Sequence, residues 1–362
     1  MGSEQRFEET LKKIEGLDED AMALARARQD RLTKPPGALG RLEELSVQLA
    51  GITGTLACDL QRKVVIVMVG DHGVVRQSVS AYPQEVTAQM VANFLRGGAA
   101  INVLARHTGS RVVVVDIGVV EDLPPHPGLT ISKVARGTRD FTREPAMSRE
   151  QAHAAIGVGL EVVEQEFQRG LDLVATGDMG IGNTTASSAL VAVFTGEPPE
   201  RVTGRGTGIT EDGWRHKVQV VRAALALHHA DAGDPVDVLA RLGGLEIAGL
   251  VGVMLGAAAR RVPVVVDGFI SGAAALAAAA IAPRVKEYFI ASHRSVEPGH
   301  QVALDRLGIK PLLDLDLRLG EGTGAVLAFP IIEAAAKLLN EMATFDEAGV
   351  SEADTGPRRG PD

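Results

Sequence analysis

The stretch KVVIVMVGDHG at residues 63–73 is a short β-branched run that ends in glycine and polar residues. Four later segments repeat this design: RVVVVDIG at 111–118, LDLVATGD at 171–178, VPVVVDG at 262–268 and KEYFIASHR at 286–294. Continuous apolar runs of this kind, rather than alternating ones, are typical of strands that are buried on both faces of a parallel sheet. These five segments therefore predict the strands of one sheet.

Helical periodicity fills the intervals between the strands, at 85–107, 149–168, 184–194, 211–230 and 244–260. This alternation predicts an α/β fold whose parallel sheet is covered by helices on both faces. Ligands of such folds bind outside the carboxyl ends of the strands. The polar residues that end each strand are therefore the first candidates for a functional site.

The remaining chain divides by composition. Residues 5–53 predict amphipathic helices, which TKPPG at 33–37 interrupts because paired prolines cannot continue a helix. The proline- and charge-rich stretch 121–147 predicts an excursion from the sheet, and the residues from 347 onward predict a disordered tail.

Composition excludes several classes of function. The chain has 362 residues, 45% of them hydrophobic, and a formal net charge of −9 with no block of Lys or Arg, so nucleic acid is not an expected partner. The single cysteine, Cys58, cannot form an internal disulfide, which fits a reducing compartment. The N-terminal segment does not have the pattern of a signal peptide, and the apolar run 270–282 is too short to cross a membrane. We expect a cytoplasmic protein that does not associate with membranes.

A glycine turn, GDMGIGNTT at 177–185, follows one predicted strand and opens a helix. Gly180 and Gly182 permit close backbone approach, and Asn183 and Thr184 can cap the helix or bind an anion, since a helix N-terminus favours phosphate. Thr185 stands where a dinucleotide-binding motif needs its third glycine. The turn is either a phosphate site or a strand-to-helix connection that needs glycine for its geometry.

Three further segments carry candidate ligands. GRGTGI at 204–209 is either a second phosphate loop or a flexible turn, and Lys217, two turns into the next helix, is either an anion ligand or a surface lysine. Asp267, at a strand end, could bind sugar hydroxyls or cap a helix. In SHRS at 292–295 the serines and the arginine suit an anion.

The pair Asp71–His72 in DHG raises a metal hypothesis because both side chains are metal ligands. However, the sequence has no H-E-x-x-H motif and no cluster of Cys and His. We therefore predict a hydrogen-bonded structural role for His72, and no metal site.

The loop RLGEGTGA at 318–325 places Glu321 between two glycines. Glu321 is either a functional carboxylate or an acidic first-turn residue that the dipole of the following helix favours. The flanking glycines argue against a simple capping role, because they increase the entropy that is lost on folding.

Taken in order, eight segments resemble the nicotinate-nucleotide–dimethylbenzimidazole phosphoribosyltransferases, the CobT family. The resemblance runs from about residue 5 to 346. Each motif alone is weak evidence for the family, but the eight motifs in this order are specific to it. The segments are TKPPGALGRLEELS (33–46), GDHGV (70–74), VSAYPQEVTAQMV (79–91), GDMGIGNTT (177–185), GRGTG (204–208), VVDGFISGAAAL (265–276), SHRSVEPGH (292–300) and LDLRLGEGTGA (315–325).

The resemblance implies a pentosyltransferase that moves the ribose 5-phosphate of nicotinate mononucleotide to 5,6-dimethylbenzimidazole, for the lower ligand of cobalamin. It also implies a homodimer that needs no metal or other cofactor. Two alternatives stay open at this point: the same transfer to another acceptor (adenine, a different benzimidazole or a phenol), and a nucleotide-binding protein without catalysis.

By motif, the resemblance implies that Glu321 is the general base. Many family members have Glu where Asp178 stands, so this carboxylate reaches one methylene less far. The positions that the resemblance and the strand ends together assign to the nucleotide are Asp178, Gly180, Gly182, Asn183, Thr184, Gly206, Lys217, Asp267, Ser292 and Ser295. Those assigned to the acceptor base are Ser80, Tyr82, Gln89 and Leu319.

The resemblance further implies a Rossmann-like α/β domain and a smaller helical domain that is built from both chain ends. The predicted boundaries are a helical segment of the small domain at 1–60, the nucleotide-binding domain at 61–320, the C-terminal helix of the small domain at 321–346 and the tail at 347–362.

Overall fold

A computed structural model of the chain describes residues 3–351. Its six strands form one parallel sheet in the order β3-β2-β1-β4-β5-β6. The strands are β1 Lys63–Gly70, β2 Arg111–Gly118, β3 Leu129–Ile131, β4 Leu173–Met179, β5 Val264–Val266 and β6 Phe289–Ala291. The helices are α1 Ser3–Lys12, α2 Glu19–Arg31, α3 Arg41–Thr53, α4 Val86–Leu95, α5 Ala100–Thr108, α6 Arg149–Arg169, α7 Asn183–Thr195, α8 Pro199–Val202, α9 Glu211–His228, α10 Pro235–Leu242, α11 Leu245–Ala259, α12 Phe269–Ile281, α13 Pro298–Leu307, α14 Thr323–Glu341 and α15 Phe345–Ala348.

This strand order is that of a doubly wound sheet. All eight residues of β1 are buried, and since successive side chains point to opposite faces, both faces of the sheet are covered. The α/β prediction is therefore confirmed. The strand order reverses between β1 and β4, and the carboxyl ends of these two strands border the crevice where ligands of such folds bind.

Three predicted segments differ from the structure. The stretch 121–147 was expected to leave the sheet, but Leu129–Ile131 returns to it as the edge strand β3, which pairs with β2. Three residues are too few for a periodicity signal. The strand predicted at 262–268 is only three residues long. The strand predicted at 286–294 is also three residues long, because Pro283–Tyr288 forms a 3-10 helix before β6.

Helix α11 is the central helix of the core. It packs against α6, α12 and the strands β1, β2 and β4, and every residue from Leu245 to Ala258 is buried. Glycines bring α6 and α11 into backbone contact: a Cβ on Gly252 would lie 2.0 Å from the carbonyl oxygen of Ile156, and one on Gly159 would lie 2.0 Å from that of Gly249. These glycines allow a closer approach of the two helices than any other residue would.

The described residues divide into two compact units: 3–16 with 60–329, and 17–59 with 330–351. This division differs from the predicted domains at both chain ends. Helix α1 belongs to the larger unit because it packs against α6, where Phe7 meets the ring of His153 edge-on at 5.4 Å between centroids. Residues 321–329, the start of α14, also belong to the larger unit. Within the smaller unit, α2 packs against α3, and Arg28 of α2 donates to the backbone oxygen of Leu339.

The C-terminal tail predicted from 347 begins inside the capped helix α15, which ends at Ala348, and its last eleven residues, 352–362, lie outside the described residues. Among the described helices, only Thr323–Glu341 is long and apolar enough to cross a membrane, and 56% of that window is buried in the protein. A buried core helix meets the same criterion, so this observation is weak evidence for a membrane span.

Candidate active site

The candidate site lies where β1 and β4 end. The backbones of the two strand ends touch there, since a Cβ on Gly180 would lie 2.2 Å from the carbonyl oxygen of Gly70. Gly182 then adopts a φ of 97° and serves as the N-cap of α7. Only glycine permits the close backbone approach at Gly180, and glycine adopts the left-handed backbone at Gly182 without strain. The geometry therefore explains why GDMGIGNTT has glycine at these positions.

A buried lysine lies beside the start of α7. Lys217 on α9 is fully buried, and its Nζ donates to Thr184 Oγ1 at 2.7 Å. A Cβ on Gly206 would lie 2.8 Å from Thr184 Oγ1 and 3.1 Å from Lys217 Nζ, so the GRGTG loop closes over the ammonium group. Burial lowers the pKa of Lys217 to about 8, against the opposing effect of the Glu297 charge. A buried ammonium next to a hydroxyl and a helix N-terminus suits a phosphate group.

Glu297 supports the GRGTG loop, and sequence reasoning did not assign it any role. Its side chain is buried, and Oε1 accepts a hydrogen bond from the backbone N–H of Gly206 at 2.9 Å. A Cβ on Gly204 would lie 2.0 Å from Glu297 Oε2. The only available signal was indirect: an acidic residue inside SHRSVEPGH that directly precedes the first proline of a helix.

Glu321 lies at the end of the crevice in a left-handed conformation, with φ 63°, which is uncommon for a residue other than glycine. Only 4% of it is exposed. Its Oε2 accepts a hydrogen bond from the N–H of Ile101, in the first turn of α5, at 3.3 Å. Burial raises the pKa of Glu321 to about 7, the Ile101 hydrogen bond opposes this, and the charge of Asp267 adds to it. A raised pKa makes the ionised carboxylate a stronger base than an exposed one.

Asp267 holds the loop that carries Glu321. Its Oδ2 accepts from the N–H of Gly322 at 3.2 Å and its Oδ1 accepts from the N–H of Ala325 at 2.9 Å. The carboxylate is fully buried, and burial raises its pKa while nearby His293 lowers it. Of the two interpretations that the sequence left open, these bonds favour a cap at the start of α14.

Asp178 lies between the phosphate turn and the Glu321 loop. Its backbone oxygen accepts from the N–H of Glu321 at 3.2 Å, and its Oδ2 accepts from Asn183 Nδ2 at 2.9 Å. Burial raises its pKa well above the usual range, and the charges of Asp267, Glu246 and Glu321 add to this rise. The side-chain bond occupies Asn183, so two of the predicted nucleotide ligands bond to each other.

The partner of His72, which lies beneath the phosphate turn, was not predicted: it is Glu246. His72 Nε2 lies 2.6 Å from Glu246 Oε1, and both side chains are fully buried. A Cβ on Gly182 would lie 3.2 Å from the Cβ of His72, so the imidazole forms the floor of the turn. The prediction that His72 is a hydrogen-bonded structural histidine is confirmed. Within residues 3–351 no group of three or more His, Cys, Asp or Glu side chains could hold a metal ion.

The predicted serine ligands are engaged with the protein. Ser292 is fully buried, and its hydroxyl donates to the backbone oxygen of Asp267 and lies 3.0 Å from His293 Nδ1. Ser295 Oγ accepts from the N–H of Glu297 at 3.3 Å. These bonds make both serines supports of the strand end after β6, next to the residues that hold Gly206 and Glu321.

The predicted acceptor-base residues are more dispersed. Ser80 Oγ lies 3.3 Å from Thr207 Oγ1 of the GRGTG loop, which connects this segment to the phosphate side. Tyr82 is 54% exposed and Leu319 is 58% exposed. Gln89 is exposed on α4, two residues after Thr87, whose hydroxyl accepts from the N–H of Ile181. Residues two apart on a helix point to different sides, so Gln89 faces away from the phosphate turn.

Comparison with known proteins defines the class first: a family model described as phosphoribosyltransferase matches residues 14–350. A nicotinate-nucleotide–dimethylbenzimidazole phosphoribosyltransferase of Chloroflexus aggregans is 62% identical over 344 residues, which cover 95% of this chain and 98% of that protein. One of Geobacter sulfurreducens is 57% identical and covers 96% and 98% of the two chains. A crystal structure of the Thermus thermophilus enzyme is 50% identical, with a TM-score of 0.89, and covers 93% of this chain and 100% of that one. The chain belongs to the family of nicotinate-nucleotide–dimethylbenzimidazole phosphoribosyltransferases.

Proposed function

We propose that this protein transfers the phosphoribosyl group of nicotinate mononucleotide to 5,6-dimethylbenzimidazole. The products are nicotinate and α-ribazole 5′-phosphate, the nucleotide of the lower ligand of cobalamin. Membership of the family supports the reaction. The observation in this chain that carries the proposal is a buried carboxylate, Glu321, with a pKa of about 7, in the same crevice as the buried ammonium of Lys217.

Lys217 and Glu321 have different roles in the proposed reaction. Lys217, Thr184 and the N-terminus of α7 bind the 5′-phosphate, which supplies binding energy away from the reacting carbon. The bond between C1′ and the pyridinium nitrogen breaks, and its electron pair returns to the leaving ring, so nicotinate departs without an acid. The reacting carbon then develops oxocarbenium character, as in glycoside hydrolysis.

Glu321 acts on the acceptor. One imidazole nitrogen of dimethylbenzimidazole attacks C1′ from the face opposite to nicotinate, which inverts the β-nucleotide to the α-product. The other nitrogen must lose its proton, and the Glu321 carboxylate accepts it. A pKa of about 7 lets Glu321 ionise near neutral pH, and the ionised form is more basic than an exposed carboxylate.

The test is nicotinate release from nicotinate mononucleotide, measured with dimethylbenzimidazole, adenine, a second benzimidazole and a phenol as acceptors. We expect turnover with dimethylbenzimidazole. Glu321→Gln should bind the nucleotide as the wild type does and lose about 10²–10⁴-fold in kcat, the usual contribution of a general base. A loss in kcat of less than about tenfold at saturating acceptor would exclude the general-base role. If the protein binds nicotinate mononucleotide but releases no nicotinate with any of the acceptors, the non-catalytic alternative is supported.

We also propose that the protein is a cytoplasmic homodimer, which the family resemblance supports. Within this chain the exposed side chains of Tyr82 and Leu319 belong to segments assigned to the acceptor base. A partner subunit would cover apolar surface of this kind. Sedimentation equilibrium should give twice the chain mass of 38.0 kDa, and a monomer at micromolar concentration would contradict this assignment.

A further inference from the structure

The GRGTG loop at 204–208 contacts Glu297, the Lys217–Thr184 pair, the acceptor-base segment and Arg318, and the last two contacts have no role in the chemistry above. On the phosphate side, Gly206 lies against Lys217 Nζ and Thr184 Oγ1, at 3.1 Å and 2.8 Å from the position of an added Cβ. Any phosphate that Lys217 binds therefore adjoins the backbone of Gly206. A bound nucleotide restrains this loop at its centre.

The next residue, Thr207, connects the loop to the acceptor-base segment. Its half-buried hydroxyl accepts a hydrogen bond from the N–H of Ala81 at 3.0 Å and lies 3.3 Å from Ser80 Oγ. Ser80 Oγ in turn accepts from the N–H of Tyr82 at 3.1 Å. One hydroxyl thus orders three consecutive residues, 80–82, from a position directly next to Gly206.

A second connection runs from the same loop to the catalytic loop. Arg318 Nη1 donates to the backbone oxygen of Gly206 at 2.9 Å, three residues before Glu321. Arg318 makes this one hydrogen bond to the loop, whereas the Thr207 hydroxyl contacts both Ala81 and Ser80. Thr207 therefore has the larger number of polar contacts to the segment it connects.

We infer that Thr207 is a positioning residue that couples binding of the nucleotide phosphate to binding of the acceptor base. The inference rests on the proposed function, which supplies the two ligands. A phosphate at Lys217 and Gly206 holds the loop, the loop holds the Thr207 hydroxyl, and that hydroxyl holds residues 80–82. The acceptor then binds to a segment that is already ordered, so less conformational entropy is lost on binding. Because coupling between two sites is reciprocal, the acceptor tightens nucleotide binding by the same factor.

Calorimetry on the intact protein tests this without turnover. The probes are dimethylbenzimidazole and ribose 5-phosphate, which has the phosphate and the ribose but no nicotinate to release. In the wild type, saturating ribose 5-phosphate should lower the Kd of dimethylbenzimidazole by about 5- to 20-fold, within the usual range of coupling between sites. In Thr207→Val, which keeps the shape and removes the hydroxyl, this factor should fall to about 1. Thr207→Ser, which restores the hydroxyl, should recover most of it.

Thr195→Val is the matched control. Thr195 is also half-buried and its hydroxyl donates to the Val191 oxygen, but it ends α7 about 18 Å along the helix axis from the site. Its coupling factor should equal that of the wild type. Equal factors in Thr207→Val and wild type, or a wild-type factor of 1 although both probes bind, would overturn the inference and leave the proposed reaction intact. A wild type that binds neither probe and releases no nicotinate would overturn both.

Discussion

At the scale of single residues, Glu321 and Asp267 show how two buried carboxylates of one loop region acquire different roles. Asp267 accepts two backbone N–H groups, one on each carboxylate oxygen. Glu321 accepts one long hydrogen bond, from Ile101 at 3.3 Å. Glu321, the carboxylate with fewer partners, is the better candidate for accepting a proton. Asp267 holds the backbone next to Glu321 in place.

Asp267→Asn tests this division. An amide presents one oxygen and one NH₂ group, so one backbone N–H at the start of α14 loses its acceptor. A buried donor without a partner costs about 1–3 kcal/mol, and we expect the free energy of unfolding to fall by that amount. The Glu321 loop should also shift, so kcat should fall at least tenfold while the KM for the nucleotide changes less than threefold. Denaturant unfolding and steady-state kinetics measure the two effects.

Asp140→Asn is the control for loss of a buried, bonded carboxylate. Asp140 accepts from the N–H and hydroxyl of Thr142 and from Gln77 Nε2, and none of these groups is assigned to a ligand, so its replacement should reduce stability and leave kcat unchanged. If Asp267→Asn instead raises the nucleotide KM tenfold at normal kcat, Asp267 binds the ribose, which is the other interpretation that the sequence left open.

At the scale of elements, the packing of α6 on α11 depends on glycines at their crossing. A Cβ on Gly252 would meet the Ile156 carbonyl oxygen, a backbone atom, at 2.0 Å, and no rotamer change can relieve such a contact. The two helices would have to separate, and α11 also packs on the strands of the sheet. The spacing of these glycines is therefore a property of the core, not of the site.

Gly252→Ala should lower the free energy of unfolding by about 1–3 kcal/mol or more, as overpacked core positions do. Gly256→Ala, one turn further along α11, is the matched control. Its added Cβ would first meet atoms of Leu160 and Val163 at 3.4 Å, which is ordinary contact, and alanine is a better helix former than glycine by up to about 1 kcal/mol. Thermal unfolding should therefore show a lower Tm for Gly252→Ala only. The same loss of Tm in both variants would contradict close helix packing as the cause.

At the scale of the whole molecule, the net charge of −9 does not by itself favour an anionic substrate. The fold compensates locally, because it places positively charged groups where the strand order reverses between β1 and β4. The positive end of α7 and the ammonium of Lys217 converge there from distant parts of the sequence. Glu321 reaches the same crevice from the start of α14. The proposed mechanism needs two protonation states at once: Lys217 charged and Glu321 ionised.

This requirement predicts a bell-shaped pH profile of kcat/KM for the nucleotide. Activity should rise as Glu321 loses its proton at a pKa of about 7, and fall as Lys217 loses its proton at a pKa of about 8. Arginine stays charged throughout the pH range of such a profile, so Lys217→Arg should remove the alkaline limb and keep the acidic one, whatever its effect on the absolute rate. An alkaline limb that persists in Lys217→Arg would assign it to another group.

The sequence by itself determined the features that depend on local pattern. The buried run of β1, the helices between strands and the glycines at 180 and 182 follow from hydrophobic periodicity and from backbone conformations that only glycine adopts freely. The order of motifs also identified the family, and with it Glu321 and Lys217 as candidates. Local pattern did not reveal β3, because a three-residue edge strand has no periodicity to detect.

Only the tertiary structure decided what each candidate touches. It paired His72 with Glu246, 174 positions apart, bonded Asp267 to the start of α14, and engaged the Ser292 hydroxyl with the protein. It placed the first turn of α5 against Glu321 and Thr207 against Ala81. The physical reason is the same in each case: burial, hydrogen bonding and the resulting pKa are set by neighbours that are close in space and distant along the chain, so no local reading of the sequence contains them.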